Sequence, residues 1–399
     1  MTVIATAGHV DHGKSTFVNF LTKQETDRLP EEKKRGLTIN LGFTYFNHEN
    51  KTYSIVDVPG HKDYFKNTVS GFSNADVIFF IIDSTENWSE QSEEHFQALI
   101  ALKKRNFLFI YTKTDLLKDE IDKKILLSKI KTFQDINYEI LEFNKIESNN
   151  EDFSKAIHKF IESCNFVKKN PSMWVDRAFT IDGTGKVVTG TASKYFDYKN
   201  IIFNLYNQKM QIKEIQSRDA VNQENNETKR IAISLKKTNN LFPKRGDLLT
   251  NDEIVFTNML FVKLNSEYND YLFSKGTSRI FFGTDHANIK KINFIKIGEN
   301  TYINLTISKA VPLPEFENVL IQNIDKRQII GGEFLFFLSD MQNQKINKKI
   351  KNLKEVKNIL EIFNSVNVKY FKENTKFTRI NDEYINESIL NEIYEILEN

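Results

Sequence analysis

Nine residues near the start of the chain constrain its fold more than any other stretch. Gly8-His9-Val10-Asp11-His12-Gly13-Lys14-Ser15-Thr16 fits the spacing G-x-x-x-x-G-K-S/T of a phosphate-binding loop. Val3-Ile4-Ala5-Thr6-Ala7 before it reads as a strand, and Phe17-Val18-Asn19-Phe20-Leu21 after it reads as a helix, which is the context such a loop needs. Glycines let the backbone curl until its N–H groups point inward at phosphate oxygens, and the following helix adds the positive end of its dipole. Val10, Asp11, His12, Gly13, Lys14, Ser15 and Thr16 are therefore the candidate phosphate cradle. Lys14 is expected to reach the β- and γ-phosphates, and the Ser15 hydroxyl to bind Mg2+. The competing reading is a chance glycine-rich turn, and both flanks argue against it.

Two later stretches narrow the nucleotide. Val56-Asp57-Val58-Pro59-Gly60-His61 closes an apolar strand. An Asp at a strand end can hold Mg2+ through a water, and the N–H of Gly60 can approach a γ-phosphate because no Cβ intervenes. Phe107-Leu108-Phe109-Ile110-Tyr111 reads as a buried strand that ends in Thr112-Lys113-Thr114-Asp115, a variant of the guanine-recognition motif. The Asp115 carboxylate can accept from both N1–H and the exocyclic amine of guanine. Adenine offers no such pair, and a site with hydrogen-bonding groups left unpaired rejects the wrong ligand by roughly 10⁴–10⁵. Three elements in this order point to GTP and GDP as ligands, with Mg2+ as cofactor.

The remaining composition sets looser limits. The length of 399 residues allows two to four domains. A net charge of +2 means that any nucleic-acid contact must come from a local patch. Cys164 is the sole cysteine, which excludes an intramolecular disulfide and fits a reducing compartment; it reads as a small core residue. No signal peptide is visible and no apolar run approaches membrane-spanning length, so the expected location is the cytoplasm and no membrane partner is expected. The other histidines, His9, His12, His48, His95, His158 and His286, show no metal-like spacing.

Up to residue 167 the pattern alternates strands, at 3–7, 52–56, 77–82, 107–112 and 139–143, with helices at 14–21, 92–102, 119–132 and 152–164. This predicts a mostly parallel sheet covered on both faces. Residues 172–252 and 253–340 change to short alternating strands, as in two small β-barrels. The second of these carries strands at 259–264, 278–282, 289–297, 301–307, 318–324 and 328–337. In 341–399, Ile350, Leu353, Val356, Ile359, Leu360 and Phe363 share a helix face. Val366, Val368 and Tyr370 alternate like a strand, and Ile385, Ile389, Leu390, Ile393 and Leu397 suggest a last amphipathic helix. The predicted fold is an α/β P-loop GTPase domain, two small β-barrel domains and a short mixed helical tail.

At this point the residues resemble a known family, the bacterial selenocysteine-specific elongation factors, which are translational GTPases related to elongation factor Tu. The resemblance covers roughly residues 1–340. Residues 8–16 and 57–61 resemble all elongation factor Tu-like proteins. The run from Asp27-Arg28-Leu29-Pro30 through Arg35-Gly36-Leu37-Thr38-Ile39-Asn40 to Leu41-Gly42-Phe43 is similar to the selenocysteine branch, as is Thr112 before Lys113. Asp176-Arg177-Ala178-Phe179-Thr180-Ile181, Val187-Val188-Thr189-Gly190-Thr191, Phe282-Gly283-Thr284-Asp285-His286 and Ile329-Ile330-Gly331-Gly332-Glu333 resemble that family's second and third domains.

The resemblance implies that Thr38 lies in switch 1 with its hydroxyl on Mg2+, beside Ser15 and Asp57. It implies that His61 positions the hydrolytic water. It also implies an aminoacyl pocket at Asp176 and Arg177, with Arg230 a further candidate. A selenol is ionised at neutral pH where a serine hydroxyl is not, so Arg177 can face a selenolate and Asp176 an aminoacyl ammonium. An ordinary strand-edge ion pair is the equal alternative.

The implied partners are selenocysteinyl-tRNA and the ribosome, and the implied state is a monomer. Two other readings stay open: a carrier of another aminoacyl-tRNA, and a regulatory GTP-binding protein that never binds tRNA. The chain departs from the family in three places. Leu141-Glu142-Phe143-Asn144-Lys145 stands where the family carries Ser-Ala. Residues 85–92 lack the usual Gly and Pro, and Trp88 there is a core plug or a partner contact. Residues 341–399 leave room for one reduced unit where the family carries four winged-helix domains that bind a message hairpin. Either the chain is truncated, or it delivers its tRNA without that hairpin.

Overall fold

The computed structural model describes residues 2–24, 38–86, 88–117, 120–133, 135–166, 172–193, 202–203, 208–216, 229–236, 242–251, 256–265, 277–297, 300–314, 317–337, 377–380 and 383–386. The first domain holds strands β1 (Thr2–Ala7), β2 (Gly42–His48), β3 (Lys51–Asp57), β4 (Val77–Asp83), β5 (Asn106–Thr112) and β6 (Asn137–Glu142). Its helices are α1 (Lys14–Thr22), α2 (Phe65–Ser73), α3 (Glu90–Ala101), α4 (Lys124–Lys131) and α5 (Asn150–Ser163). The sheet order is β2-β3-β1-β4-β5-β6, parallel throughout except for β2 against β3.

The apolar runs of β1, β4 and β5 are continuous because both faces of this sheet are covered. Alternate residues serve two cores. Val3, Ala5, Ile78, Phe80, Phe107 and Phe109 pack under α2, α3 and α4, which contribute Phe72, Phe96 and Ile130. Ile4, Phe79, Ile81, Leu108 and Ile110 face the other way, toward Phe17 and Val18 of α1 and Phe160 and Ile161 of α5. Burial of each of the larger of these side chains contributes about 1.5–3 kcal/mol. β1 lies where the chain order reverses, with β3 on one side and β4 on the other, so the loop after it opens into the crevice where open α/β sheets bind ligands.

Strands β7 (Ser172–Ile181), β8 (Gly185–Ala192), β9 (Ile202–Phe203), β10 (Gln208–Lys209), β11 (Ile212–Gln216), β12 (Lys229–Leu235) and β13 (Leu248–Thr250) form a half-barrel sheet in the order β10-β9-β13-β7-β8-β12-β11. Strands β14 (Phe256–Leu264), β15 (Ser278–Phe282), β16 (Asp285–Ile297), β17 (Asn300–Pro312), β18 (Asn318–Asn323) and β19 (Gln328–Phe337) close a barrel. This barrel shares a core with the first domain, since Phe281, Leu320 and Ile329 belong to the cluster under α3. Polar links flank that seam, with Lys103 Nζ 2.8 Å from Glu333 Oε2 and Asn265 Nδ2 donating to the Ala101 carbonyl over 3.2 Å.

Some local expectations shift. β2 and α2 carry no counterpart among the predicted elements. The helix predicted over 119–132 is helical only from Lys124, whose N–H donates to Asp122 Oδ1 over 2.9 Å. Trp88 stacks on Phe80 at a centroid distance of 5.2 Å and packs against the core while remaining half-buried, so the core reading holds. Cys164 is a buried free thiol, as expected, and burial pushes its pKa up to about 11. Ile385, assigned to the last helix, instead stands in a strand pair of β20 (Phe377–Ile380) and β21 (Glu383–Asn386). The helix face at 350–363, the strand at 366–370 and the switch residues 27–37 lie outside the described residues. No helix among the described residues is long and apolar enough to cross a membrane.

Candidate functional site

The phosphate-binding motif lies at the carboxyl end of β1 and turns directly into α1. Asp11 (φ 63) and Gly13 (φ 86) take left-handed backbone to make the turn, and Phe17 N donates to the Gly13 carbonyl over 2.9 Å to close the first helical turn. Lys14 is buried, with Nζ donating to the carbonyls of Gly8 over 3.1 Å and His9 over 2.5 Å. Its ammonium therefore lies across the mouth of the loop. Thr16 is exposed on the first turn of α1.

A corner of hard oxygen donors stands beside it. Ser15 Oγ donates to Asp57 Oδ2 over 2.9 Å and lies 3.1 Å from Thr38 Oγ1. Asp57 is fully buried at the end of β3 and accepts from Thr6 Oγ1 over 2.8 Å; Thr6 Oγ1 in turn accepts from Val58 N over 3.0 Å. Two hydroxyls and a carboxylate, held within hydrogen-bond distance of one another, suit an octahedral divalent cation such as Mg2+. Gly60 closes on the same point: a Cβ there would run into Lys14 Nζ and come within 2.8 Å of Val10 N. His61 follows, half-exposed, with its Nδ1 accepting from Asp63 N over 3.3 Å.

The residues read as the guanine-recognition motif follow from β5. Thr112 Oγ1 donates to the His12 carbonyl over 2.7 Å, tying the recognition motif to the phosphate loop. A carbonyl 3.3 Å away on Ile82 is its second acceptor. Thr112→Val keeps the volume but orphans the buried His12 carbonyl, so it is expected to cost about 1–3 kcal/mol of stability. Denaturant titration checks this, and an unchanged midpoint would deny the hydroxyl that part. Lys113 adopts φ 56 and pairs through Nζ with the fully buried Asp83. Burial alone would raise the Asp83 carboxyl; Lys113 and Thr85 outweigh it and hold the carboxyl below the usual range. Asp115 is exposed on the short turn Thr114–Leu116.

Sequence reasoning missed several residues that shape this site. Thr6 and Asp83 orient its carboxylate and lysine. The buried His95 of α3 accepts from Gly8 N over 3.1 Å. Burial, with Lys14, His9 and His12 nearby, pushes its pKa down to about 3, so the imidazole is neutral and able to accept. His12 is also buried, and burial followed by His9 pushes it below the usual imidazole range, although Glu86 Oε2 lies 3.1 Å from its Nε2. The Val10 N–H points at Gln91 Oε1 over 3.4 Å. His95 lies outside every motif and gives no spacing signal; a turn of α3 facing the loop is what brings it in.

Asp176, Arg177 and Arg230 come together where the half-barrel meets β2. Arg230 Nη1 and Nη2 grip Asp176 at 2.5 and 3.0 Å, and Thr189 Oγ1 donates to Asp176 Oδ1 over 2.8 Å. Arg177 Nη2 donates to the Leu41 carbonyl over 2.6 Å. Both guanidiniums lie over the Phe43 ring, Arg230 at 3.4 Å and Arg177 at 4.7 Å. The ion pair is thus present, and it is built into a contact with the segment that follows Thr38.

The family model described as the Elongation factor Tu GTP binding domain matches residues 1–259. The chain belongs to that family. Among members of the elongation factor Tu family, the selenocysteine-specific elongation factor of Haemophilus influenzae is 31% identical over 274 residues, covering 66% of this chain and 44% of that protein. The protein of the same name from Escherichia coli is 31% identical over 196 residues, covering 48% of this chain and 32% of its own length. The chain spans less than half the length of these curated relatives. A bacterial selenocysteine-specific elongation factor crystal structure superposes with a TM-score of 0.75 at 24% identity, over 100% of this chain and 71% of that one. Translation elongation factor SelB from Methanococcus maripaludis, in complex with the GTP analogue GppNHp, gives 0.65 at 21% identity, over 85% of this chain and 80% of its own. Both share the fold described above.

Proposed function

We propose that this chain is a GTPase that carries selenocysteinyl-tRNA to the ribosome while GTP is bound and releases it after hydrolysis. The observation that carries the GTPase part is the convergence of Ser15, Thr38 and Asp57 beside Lys14, with Gly60 against the same loop. Lys14 and the N–H groups of the loop bind the phosphates, while Ser15, Thr38 and Asp57 hold Mg2+. When bound, Mg2+ neutralises charge on the phosphate oxygens. Thr112, Lys113 and Asp115 bind guanine, and His61 orients the attacking water.

The amino acid carried is read from the junction with the half-barrel. Arg230 grips the Asp176 carboxylate and Arg177 donates to the Leu41 carbonyl, and Arg177 is assigned to the selenolate on the family resemblance of Asp176 and Arg177. The relatives named for selenocysteine support this choice. The same bidentate pair favours a second reading, a carrier of another aminoacyl-tRNA, because a paired carboxylate and guanidinium need no charged ligand.

Filter binding with a GTP analogue and Sec-, Ser- and Cys-tRNA separates the two. The wild-type chain is expected to prefer Sec-tRNA. Arg177→Ala is expected to weaken Sec-tRNA binding by on the order of 1.5–3 kcal/mol more than Ser-tRNA binding, the value of a hydrogen bond to a charged group. Equal losses would leave Arg177 a structural residue. No binding of any charged tRNA would leave a regulatory GTP-binding protein.

A further inference from the structure

One amide connects the stretch around Thr38 to the half-barrel. Asn67, on α2, donates from Nδ2 to the Ile39 carbonyl over 3.0 Å, and its Oδ1 accepts from Arg245 Nη2 over 2.8 Å. The orientation of this amide is forced, since a carbonyl can only accept and a guanidinium can only donate. Ile39 follows Thr38, whose hydroxyl lies 3.1 Å from Ser15 in the metal corner. Arg245 belongs to the turn that leads into β13, and that turn is itself pinned. Lys244 N donates to Asp247 Oδ2 over 2.7 Å, and Gly246 N donates to the Val175 carbonyl of β7 over 2.9 Å. A short chain of hydrogen bonds therefore runs from a fixed turn of the half-barrel, through a helix of the first domain, to the residue beside Thr38.

We propose that Asn67 is a positioning residue for the GTP-bound state and that Arg245 sets its amide. This rests on the reading of residues 8–16, 38 and 57–61 as a GTP site. The phosphate loop addresses phosphates that GTP and GDP share. A switch residue such as Thr38 addresses the γ-phosphate and its metal, which only GTP brings. Holding Ile39 in place lowers the cost of ordering Thr38, so the relay raises affinity for GTP and leaves affinity for GDP alone. The half-barrel thereby contributes to nucleotide preference through the exposed Arg245, in addition to the Arg177 contact with Leu41, without being assigned to the nucleotide itself.

The experiment measures Kd for a non-hydrolysable GTP analogue and for GDP, with Mg2+, in the full chain and four variants. Asn67→Asp keeps an acceptor for Arg245 but sets a second acceptor against the Ile39 carbonyl. It is expected to weaken the analogue about tenfold, the worth of one hydrogen bond, with GDP within about twofold. Asn67→Leu is expected to act alike. Arg245→Ala is expected to lower analogue affinity about threefold and Arg245→Lys to recover part of it, since an ammonium can still donate to the Asn67 amide. If the Asn67 variants also lose GDP through misfolding, the exposed Arg245→Ala decides. An analogue-to-GDP ratio unchanged in Arg245→Ala, or equal losses for both nucleotides, would overturn the relay. A wild-type chain that binds neither nucleotide would instead overturn the underlying site reading.

Discussion

Asp115→Asn is expected to exchange the base preference of the site, with GTP affinity falling by as much as roughly 10⁴ and xanthosine triphosphate gaining. Guanine offers two donors, N1–H and the exocyclic amine, and a carboxylate accepts both. Asparagine presents a donor to one of them, and the unpaired groups then cost far more than the lost bond itself. Xanthine replaces the amine with a carbonyl, which the new amide can satisfy. The fold should survive the change. Asp115 is exposed, and its turn is held by backbone, with Leu116 N donating to the Lys113 carbonyl over 3.0 Å. Lys113 is anchored independently by Asp83. Calorimetric titration with both nucleotides is the measurement. A chain that keeps its GTP preference would mean that another group reads the base.

The elements most legible in the sequence were those whose local signal and tertiary role agree. β1, β4 and β5 are apolar at successive positions because each strand is buried on both faces, and that pattern needs no knowledge of partners. α2 was illegible for the opposite reason. Gly71 and the β-branched Thr68 and Val69 weaken its helix propensity, and its helix exists because Phe65, Val69 and Phe72 reach the core at helical spacing. β2 was hidden by the switch motif that runs into it. Its pairing with β3 along the full length of both strands is a hairpin joined at Glu49 and Asn50, both with positive φ.

The same division holds at the site. Residues 8–16, 57–61 and 112–115 match motifs of fixed spacing, so the sequence alone proposes them. Thr6 acts on Asp57 from 51 positions away and His95 on Gly8 from 87, and no spacing rule spans such distances. A strand-edge ion pair was one of two alternatives for these residues, but that Arg230 is the arginine that pairs with Asp176 was not legible. What the sequence withheld was Phe43 beneath both arginines, because that contact depends on how the half-barrel docks against β2.

His61→Ala is expected to leave GTP and GDP affinity within about twofold while lowering hydrolysis on the order of 10²–10⁴, the range for removing one positioned proton-transfer or water-orienting group. The side chain adjoins Gly60, whose backbone lies against Lys14 and Val10, so it starts within one residue of the γ-phosphate position. Its Nδ1 is engaged by the Asp63 N–H, which leaves Nε2 as the nitrogen assigned to the water. His61 is assigned to neither the base motif nor the phosphate loop. The loss should therefore fall on turnover and not on binding, as for any interaction made mainly in the transition state. His61→Gln is the informative companion. An amide can orient water, as glutamine does in other GTPases, so it should retain part of the rate that alanine loses. Single-turnover hydrolysis with and without ribosomes, beside nucleotide titrations, reads both quantities. Equal turnover in wild type and His61→Ala would remove His61 from the reaction, and a parallel loss of GTP affinity would make it a binding residue instead.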